Sequence, residues 1–374
     1  MQHPTHGAID YAELQQHGLA PSQICDFSSN VNPLGTPNFI RAALANVDLA
    51  HYPDRQSLAL RAALANHHTC EPDQLLIGNG SNELIHLIAR ALLQANDYVV
   101  LIEPTFGEYA YASSLAGAQL IRYQASAETG FQVDVEACCQ LIAKYRPRLV
   151  WLCNPNNPTG SYLPAQAIDQ LQAACAAVHG YLVLDLAYAD LVVGDWGSGN
   201  GDRETGIEVE KPLSSPQPPA LNNHNTIYLY SLTKSYALAG LRLGYVVAEP
   251  SIIQALQRWQ PQWSVNSLAQ AAGLAIMANS AWLAQNLDQW WAWSDQLRAE
   301  LSQIGLRVLP SCLPFFLVEV QNAGQTRSAL LHHACLVRDC SSFGLPGLIR
   351  IAPRQPHVNQ RLLAAWRTLC SPQF

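Results

Sequence analysis

Charge is scarce in this chain. Asp, Glu, Lys and Arg make up 13% of its 374 residues, against 49% hydrophobic, and the balance is acidic at −7. No basic run occurs, so the electrostatic footprint of a nucleic-acid-binding protein is missing. Long apolar runs are missing too. No stretch reaches the about 18 residues that a membrane-spanning helix needs, and Met1-Gln2-His3-Pro4-Thr5-His6 carries no apolar signal core. These absences predict a soluble, cytoplasmic protein without nucleic-acid or membrane partners. The ten cysteines form no C-x-x-C, and their one adjacent pair is Cys138-Cys139. That argues against a zinc site and a disulfide framework, and leaves buried reduced thiols. The twelve histidines are dispersed, and His67-His68 and His332-His333 suit surface or helix positions better than ligand pairs. No metal is expected, and no internal repeat is present.

What the chain does have is alternation. Short apolar runs at Leu75 to Ile77, Tyr98 to Ile102, Leu149 to Cys153, Tyr181 to Leu186, Thr226 to Tyr230 and Gly244 to Ala248 read as buried strands. Amphipathic stretches such as Glu83 to Leu93 and Pro164 to Val178 lie between them. Strand and helix in turn predict an α/β fold with a mainly parallel sheet covered on both faces, and ligands beyond the carboxyl ends of its strands. The length suggests two domains. Residues 194–220, rich in Gly, Ser, Pro and acidic side chains, read as a mobile surface insertion. From about Ser264 the chain reads as mainly helical, and Trp282, Trp290, Trp291 and Trp293 read as helix packing.

The strand ends carry the chemistry. Ser231-Leu232-Thr233-Lys234 leads into Gly240-Leu241-Arg242-Leu243-Gly244. The lysine supplies an amine for a Schiff base, and Ser231 and Arg242 supply a hydroxyl and a guanidinium for a phosphate. Asn154-Pro155-Asn156-Asn157-Pro158-Thr159-Gly160 alone is an ordinary turn. Downstream, a second strand ends in Asp185-Leu186-Ala187-Tyr188. A carboxylate at the end of a buried strand needs a cationic partner, and a protonated pyridine nitrogen is one. Asn157 and Tyr188 could then bond the ring's phenolic oxygen. Gly78-Asn79-Gly80-Ser81-Asn82-Glu83 opens a helix whose N–H groups suit a phosphate, although a plain helix cap needs the same residues. Pro104-Thr105-Phe106-Gly107-Glu108-Tyr109 offers an aromatic face to a planar ring.

In this order, over nearly the whole chain, these motifs resemble the fold-type I pyridoxal-phosphate (PLP) family, the aspartate-aminotransferase superfamily. The resemblance implies a large PLP-binding domain over residues 46–263 and a smaller α+β domain over 264–374. The segment 1–45 would join the small domain and the interface. It implies PLP carried on Lys234, with Asp185 on the pyridine nitrogen and Asn157 and Tyr188 on the ring oxygen. Phe106 would stack on the ring, and Gly80, Ser81, Asn82, Ser231 and Arg242 would hold the phosphate. Leu186 departs from the Glu that many relatives carry after the aspartate.

The ends of the chain narrow the resemblance. His6-Gly7, the run Asp26-Phe27-Ser28-Ser29-Asn30-Val31-Asn32-Pro33-Leu34-Gly35 and His51-Tyr52-Pro53-Asp54 resemble the histidinol-phosphate aminotransferase branch. Within it, His6-Gly7, the Asp26 to Gly35 run and Trp263-Ser264-Val265-Asn266-Ser267-Leu268-Ala269 resemble most its threonine-phosphate decarboxylases, enzymes of cobalamin side-chain assembly, and Val337-Arg338-Asp339-Cys340 and Leu348-Ile349-Arg350-Ile351-Ala352-Pro353-Arg354 also fit. The resemblance implies a homodimer in which Tyr52 reaches the neighbouring cofactor phosphate. Arg350 would pair with the carboxylate of a small phosphorylated amino acid, and His6, Asn30, Arg338 and Arg354 are candidates around its phosphate. The implied reaction is decarboxylation of L-threonine O-3-phosphate. The alternatives are transamination of histidinol phosphate and a catalytically silent PLP-binding protein.

Overall fold

The computed structural model describes residues 3–4, 7–192 and 224–370. His6 and the segment 194–220 lie outside the described residues. The strands, in chain order, are β1 (Cys25–Asp26), β2 (Leu75–Gly78), β3 (Tyr98–Glu103), β4 (Gln119–Gln124), β5 (Leu149–Cys153), β6 (Tyr181–Asp185), β7 (Thr226–Ser231), β8 (Gly244–Val247), β9 (Phe316–Glu319), β10 (Cys335–Leu336), β11 (Arg338–Asp339) and β12 (Leu348–Ile351).

Seven of them form one sheet in the order β2-β8-β7-β6-β5-β3-β4. All run parallel except β8, which is antiparallel to both β2 and β7. The central strands are apolar on both sides because both sides are covered. Val100, Ile102, Val150, Leu152, Leu182 and Leu184 face one hydrophobic cluster, and Val99, Leu101, Leu149, Trp151 and Val183 face another. This two-residue alternation is the strand period itself. The helix Gly80–Leu92 packs on the second cluster through Leu84, Ile85, Leu87 and Ile88. These strands and both helices foreseen from the sequence are in place, and the α/β class with a mainly parallel sheet holds.

A third core belongs to the antiparallel sheet β11-β12-β9 and to the parallel pair β1-β10. It gathers Phe27, Phe316, Val318, Val337, Ile349, Ile351 and Trp366. The long helix Ala281–Gln303 spans the change of core. Its Leu287, Trp290 and Trp291 join the large-sheet cluster, and its Leu297 and Leu301 join the third. The change of core therefore falls inside this helix, later than the boundary expected at residue 264. The preceding helix Ser267–Ala278 still packs on the large sheet, through Ala269, Ala272 and Ile276. Trp291 Nε1 donates to the Leu191 carbonyl at 2.9 Å, in keeping with a packing role. Among the described residues no helix is long and apolar enough to cross a membrane.

Candidate active site

Parallel strands β5, β6 and β7 end together at one edge of the sheet, and antiparallel β8 begins there. Lys234 stands just beyond β7. Its Nζ donates to Thr233 Oγ1 at 3.2 Å, and Thr233 Oγ1 and Ser231 Oγ are 2.8 Å apart. From the opposite side the Asn32 N–H donates to the Lys234 carbonyl at 3.0 Å, and Asn32 Nδ2 donates to the Ser235 carbonyl at 2.8 Å. Burial, and then the charges of Arg242 and Arg350, push the lysine amine down to about 8, while Asp185 pulls it back up. A lysine in that range keeps a useful neutral fraction near neutrality and can attack a carbonyl.

Asp185 closes β6 and is only 4% exposed. Its Oδ2 accepts from the Tyr109 hydroxyl at 2.6 Å and its Oδ1 from the Ala187 N–H at 2.9 Å. Burial raises its pKa, while the two donors and Lys234 hold it down. Tyr109 is fixed by stacking on Trp151, with centroids 4.8 Å apart and planes 8° from parallel. Trp151 Nε1 in turn donates to Ser113 Oγ at 3.2 Å. A buried carboxylate whose two hydrogen-bond donors are neutral gains most from a cationic partner.

A second group faces this pair. Arg350, on β12, donates through Nη1 to Asn157 Oδ1 and through Nη2 to the Ser28 carbonyl at 2.6 Å. Its guanidinium lies 5.3 Å from the Phe315 ring centroid. Asn30 Nδ2 donates to the Tyr188 hydroxyl at 3.2 Å. Asn30 Oδ1 and Arg350 Nε are buried without a protein hydrogen-bond partner, as befits groups that meet a ligand. Arg338 of β11 is the register partner of Arg350, and each is 5% exposed. Arg338 Nη2 also donates to Ser342 Oγ at 2.7 Å. Burial, and next the charge of Arg350, bring Arg338 down to about 10. Two neighbouring buried cations favour an anion between them.

The third part is a cradle. Gly80 sits at φ +80°, where a Cβ would stand 2.6 Å from Arg242 Nη2. A Cβ on Gly244 would stand 2.7 Å from the Ser81 nitrogen. Only glycine lets the backbone and the guanidinium come this close. The first-turn N–H groups of Gly80, Ser81 and Asn82 have no acceptor in the helix ladder, and Asn82 Oδ1 is buried without a partner. A lysine amine, a buried carboxylate and an anion cradle thus meet along one edge. The family model for class I and II aminotransferases matches residues 22–365.

The chain belongs to the class I and II aminotransferase family. Histidinol-phosphate aminotransferase 1 of Cupriavidus pinatubonensis is 33% identical, over 94% of this chain and 89% of that protein. Threonine-phosphate decarboxylase of Salmonella typhimurium is 32% identical, over 94% and 93%. The solved histidinol-phosphate aminotransferase of Sinorhizobium meliloti, in complex with pyridoxal-5'-phosphate, superposes with a TM-score of 0.81. It covers 97% of this chain and 95% of that one at 22% identity, a likeness of fold. The cofactor of this aminotransferase-family protein is pyridoxal 5'-phosphate. The residues present fit it: the cradle offers phosphate donors where a Cβ would intrude, Asp185 a buried acceptor, and Lys234 a low-pKa amine.

The residues expected from the sequence separate into groups. Lys234, Asp185, Tyr188, Asn157, Asn30, Arg350 and Arg338 lie in the linked groups just described, and Gly80, Ser81, Asn82, Ser231 and Arg242 form the cradle and its flank. Phe106 meets Tyr109 edge-on at 5.7 Å. Tyr52 stands apart: it is 81% exposed and packs on Trp263, with centroids 4.9 Å apart. Arg354 differs from its expectation. Its guanidinium donates to the backbone carbonyls of Asp26, Val31 (3.0 Å) and Ser29 (2.7 Å), so it clamps the segment that carries Asn30 instead of facing a substrate. The sequence reading missed Thr233, Asn32 and Tyr109 as site residues. The cluster of short polar residues Ser28, Asn30 and Asn32 in one run was the signal, although the chain bends there, with the Val31 N–H on the Ser29 carbonyl.

Proposed function

We propose that the protein decarboxylates L-threonine O-3-phosphate to (R)-1-amino-2-propanol O-2-phosphate as a PLP-dependent homodimer. The observation that carries this reading is the buried pair Arg338 and Arg350, side by side across β11 and β12. Two desolvated guanidinium groups match a short substrate with a carboxylate and a phosphate close together. They suit an imidazole-bearing substrate less well.

PLP, when bound, supplies the electron sink that lets a bond at the substrate's Cα break heterolytically. Lys234 would hold it, Asp185 would face its pyridine nitrogen, Asn157 and Tyr188 its ring oxygen and Phe106 its face, and the Gly80–Asn82 turn with Ser231 and Arg242 would take its phosphate. Arg350 binds the substrate carboxylate, and Arg338 and Asn30 meet the phosphate end. Arg354 keeps Asn30 in place. Carbon dioxide leaves, and Lys234, once free, is positioned to return a proton to Cα. Tyr52 of one subunit completes the phosphate site of the other.

A second reading, transamination of histidinol phosphate, draws support from the slightly higher identity to the Cupriavidus relative, 33% against 32%. Competition between the two substrates tests the choice. Carbon dioxide release from threonine phosphate should exceed 2-oxoglutarate-dependent turnover of histidinol phosphate by at least about tenfold in kcat/KM, roughly 1.4 kcal/mol in the transition state. The reverse order hands the site to the aminotransferase reaction.

A further inference from the structure

Glu83 has the charge that a helix start favours, but the wrong one for a phosphate neighbour. It lies in the first turn of the helix Gly80–Leu92, beside the three N–H groups that would meet the cofactor phosphate. A carboxylate there repels a phosphate dianion. Yet protein donors converge on it. Its Oε2 accepts from the Asn79 N–H at 2.6 Å, and Ser264 Oγ lies 2.5 Å from Oε1 and 2.7 Å from Oε2. Gln260 Nε2 lies 3.4 Å from Oε2 while it donates to the Ile77 carbonyl at 2.7 Å. Gly78 leaves room for this, since a Cβ there would stand 3.1 Å from Oε2.

The contacts stitch two stretches of chain together. One is the end of β2 with the turn Gly78–Ser81. The other is the segment from Trp259 to Ser264, whose Trp259 lies under the Arg90 guanidinium of the same helix at 4.2 Å. Trp263, between Gln260 and Ser264, packs on the exposed ring of Tyr52.

We propose that Glu83 is a positioning residue. It spends its charge on Asn79 and Ser264, and so holds the turn at the angle from which the N–H groups of Gly80, Ser81 and Asn82 meet the cofactor phosphate. It also makes that angle depend on the segment bearing Trp263. The inference rests on the cradle being the phosphate site of PLP.

Two effects of opposite sign separate this from simple electrostatics. Glu83→Gln removes a negative charge near the phosphate, which alone tightens binding. It also leaves one acceptor oxygen for the donors of Asn79, Ser264 and Gln260, which loosens the turn and weakens binding. If positioning dominates, the second effect wins.

The test is titration of the apoprotein with PLP, followed by absorbance, for wild type, Glu83→Gln, Ser264→Ala and the double variant. Each single variant is expected to raise the PLP dissociation constant about tenfold, and the double variant no further, because both break the same link. The apoproteins should lose some stability with these bonds but keep the wild-type circular dichroism spectrum. A constant that is unchanged or lower in Glu83→Gln overturns the proposal, as do additive effects or a rise that comes with loss of the apoprotein's fold. Failure of the wild type to bind PLP overturns the cradle assignment itself, a separate result.

Discussion

A buried amine, with the charges of Arg242 and Arg350 acting on it, gives up its proton early. Lys234 titrates near 8 instead of 10.5, so the neutral form that captures a carbonyl grows as pH rises through that value. The rate at which apoprotein captures PLP, followed by rapid mixing, should therefore climb with pH and level off above about 8, not continue toward 10.5. Lys234→Ala should abolish both the visible absorption of bound cofactor and turnover. Asp185 offers a second test through Tyr109. Tyr109→Phe removes the donor to Oδ2, and a hydrogen bond to a charged group contributes about 1.5–3 kcal/mol. PLP affinity and kcat/KM should each fall roughly ten- to a hundredfold. The carboxyl resonance of Asp185 should titrate at higher pH, because its ionised form has lost support. Unchanged values in both measurements would assign Tyr109 to packing alone. Lys234 and Asp185 were legible because strand-end position and neighbouring hydroxyl, glycine and arginine residues mark them within a short window. Tyr109 was not, since its partner is 76 residues away and only folding brings the two together.

At the scale of elements, the central strands announced themselves through unbroken apolar runs. β4, Gln119–Gln124, did not: it is the sheet's edge, half covered, and its pattern mixes Gln and Arg with Leu, Ile and Tyr. The strands β9 to β12 span two to four residues each, too short for a period to emerge. The grip of Arg354 on the backbone was hidden for a related reason. A conspicuous arginine beside a site suggests a ligand, and nothing local reveals three carbonyls from residues 26–31. Arg354→Lys keeps the charge but cannot fork to all three. It is expected to cost roughly 3–6 kcal/mol of stability, from the loss of two of these charge-assisted bonds. Thermal unfolding followed by circular dichroism measures this. A melting temperature equal to that of wild type would return Arg354 to the list of substrate ligands.

At the scale of the whole molecule, the exposed Tyr52–Trp263 pair is the surface through which two copies are expected to share sites. Tyr52→Phe and Lys234→Ala proteins, each nearly inactive, should regain activity when their subunits exchange. Half the dimers are then mixed and each has one intact site, so recovery approaches roughly a quarter of wild type. An active monomer in sedimentation would exclude this arrangement. The pairing of β1 with β10, and the grip of Arg354 on residues 26–31, have a consequence in time as well. The seven strands that present Lys234, Asp185 and the cradle are all synthesised once Val247 is made. The segment around Asn30 must wait for a strand near residue 335 and an arginine at 354. At about 5–20 residues per second this takes on the order of ten seconds. A growing chain thus carries every strand of the cofactor platform before the residues that complete its substrate side have been made.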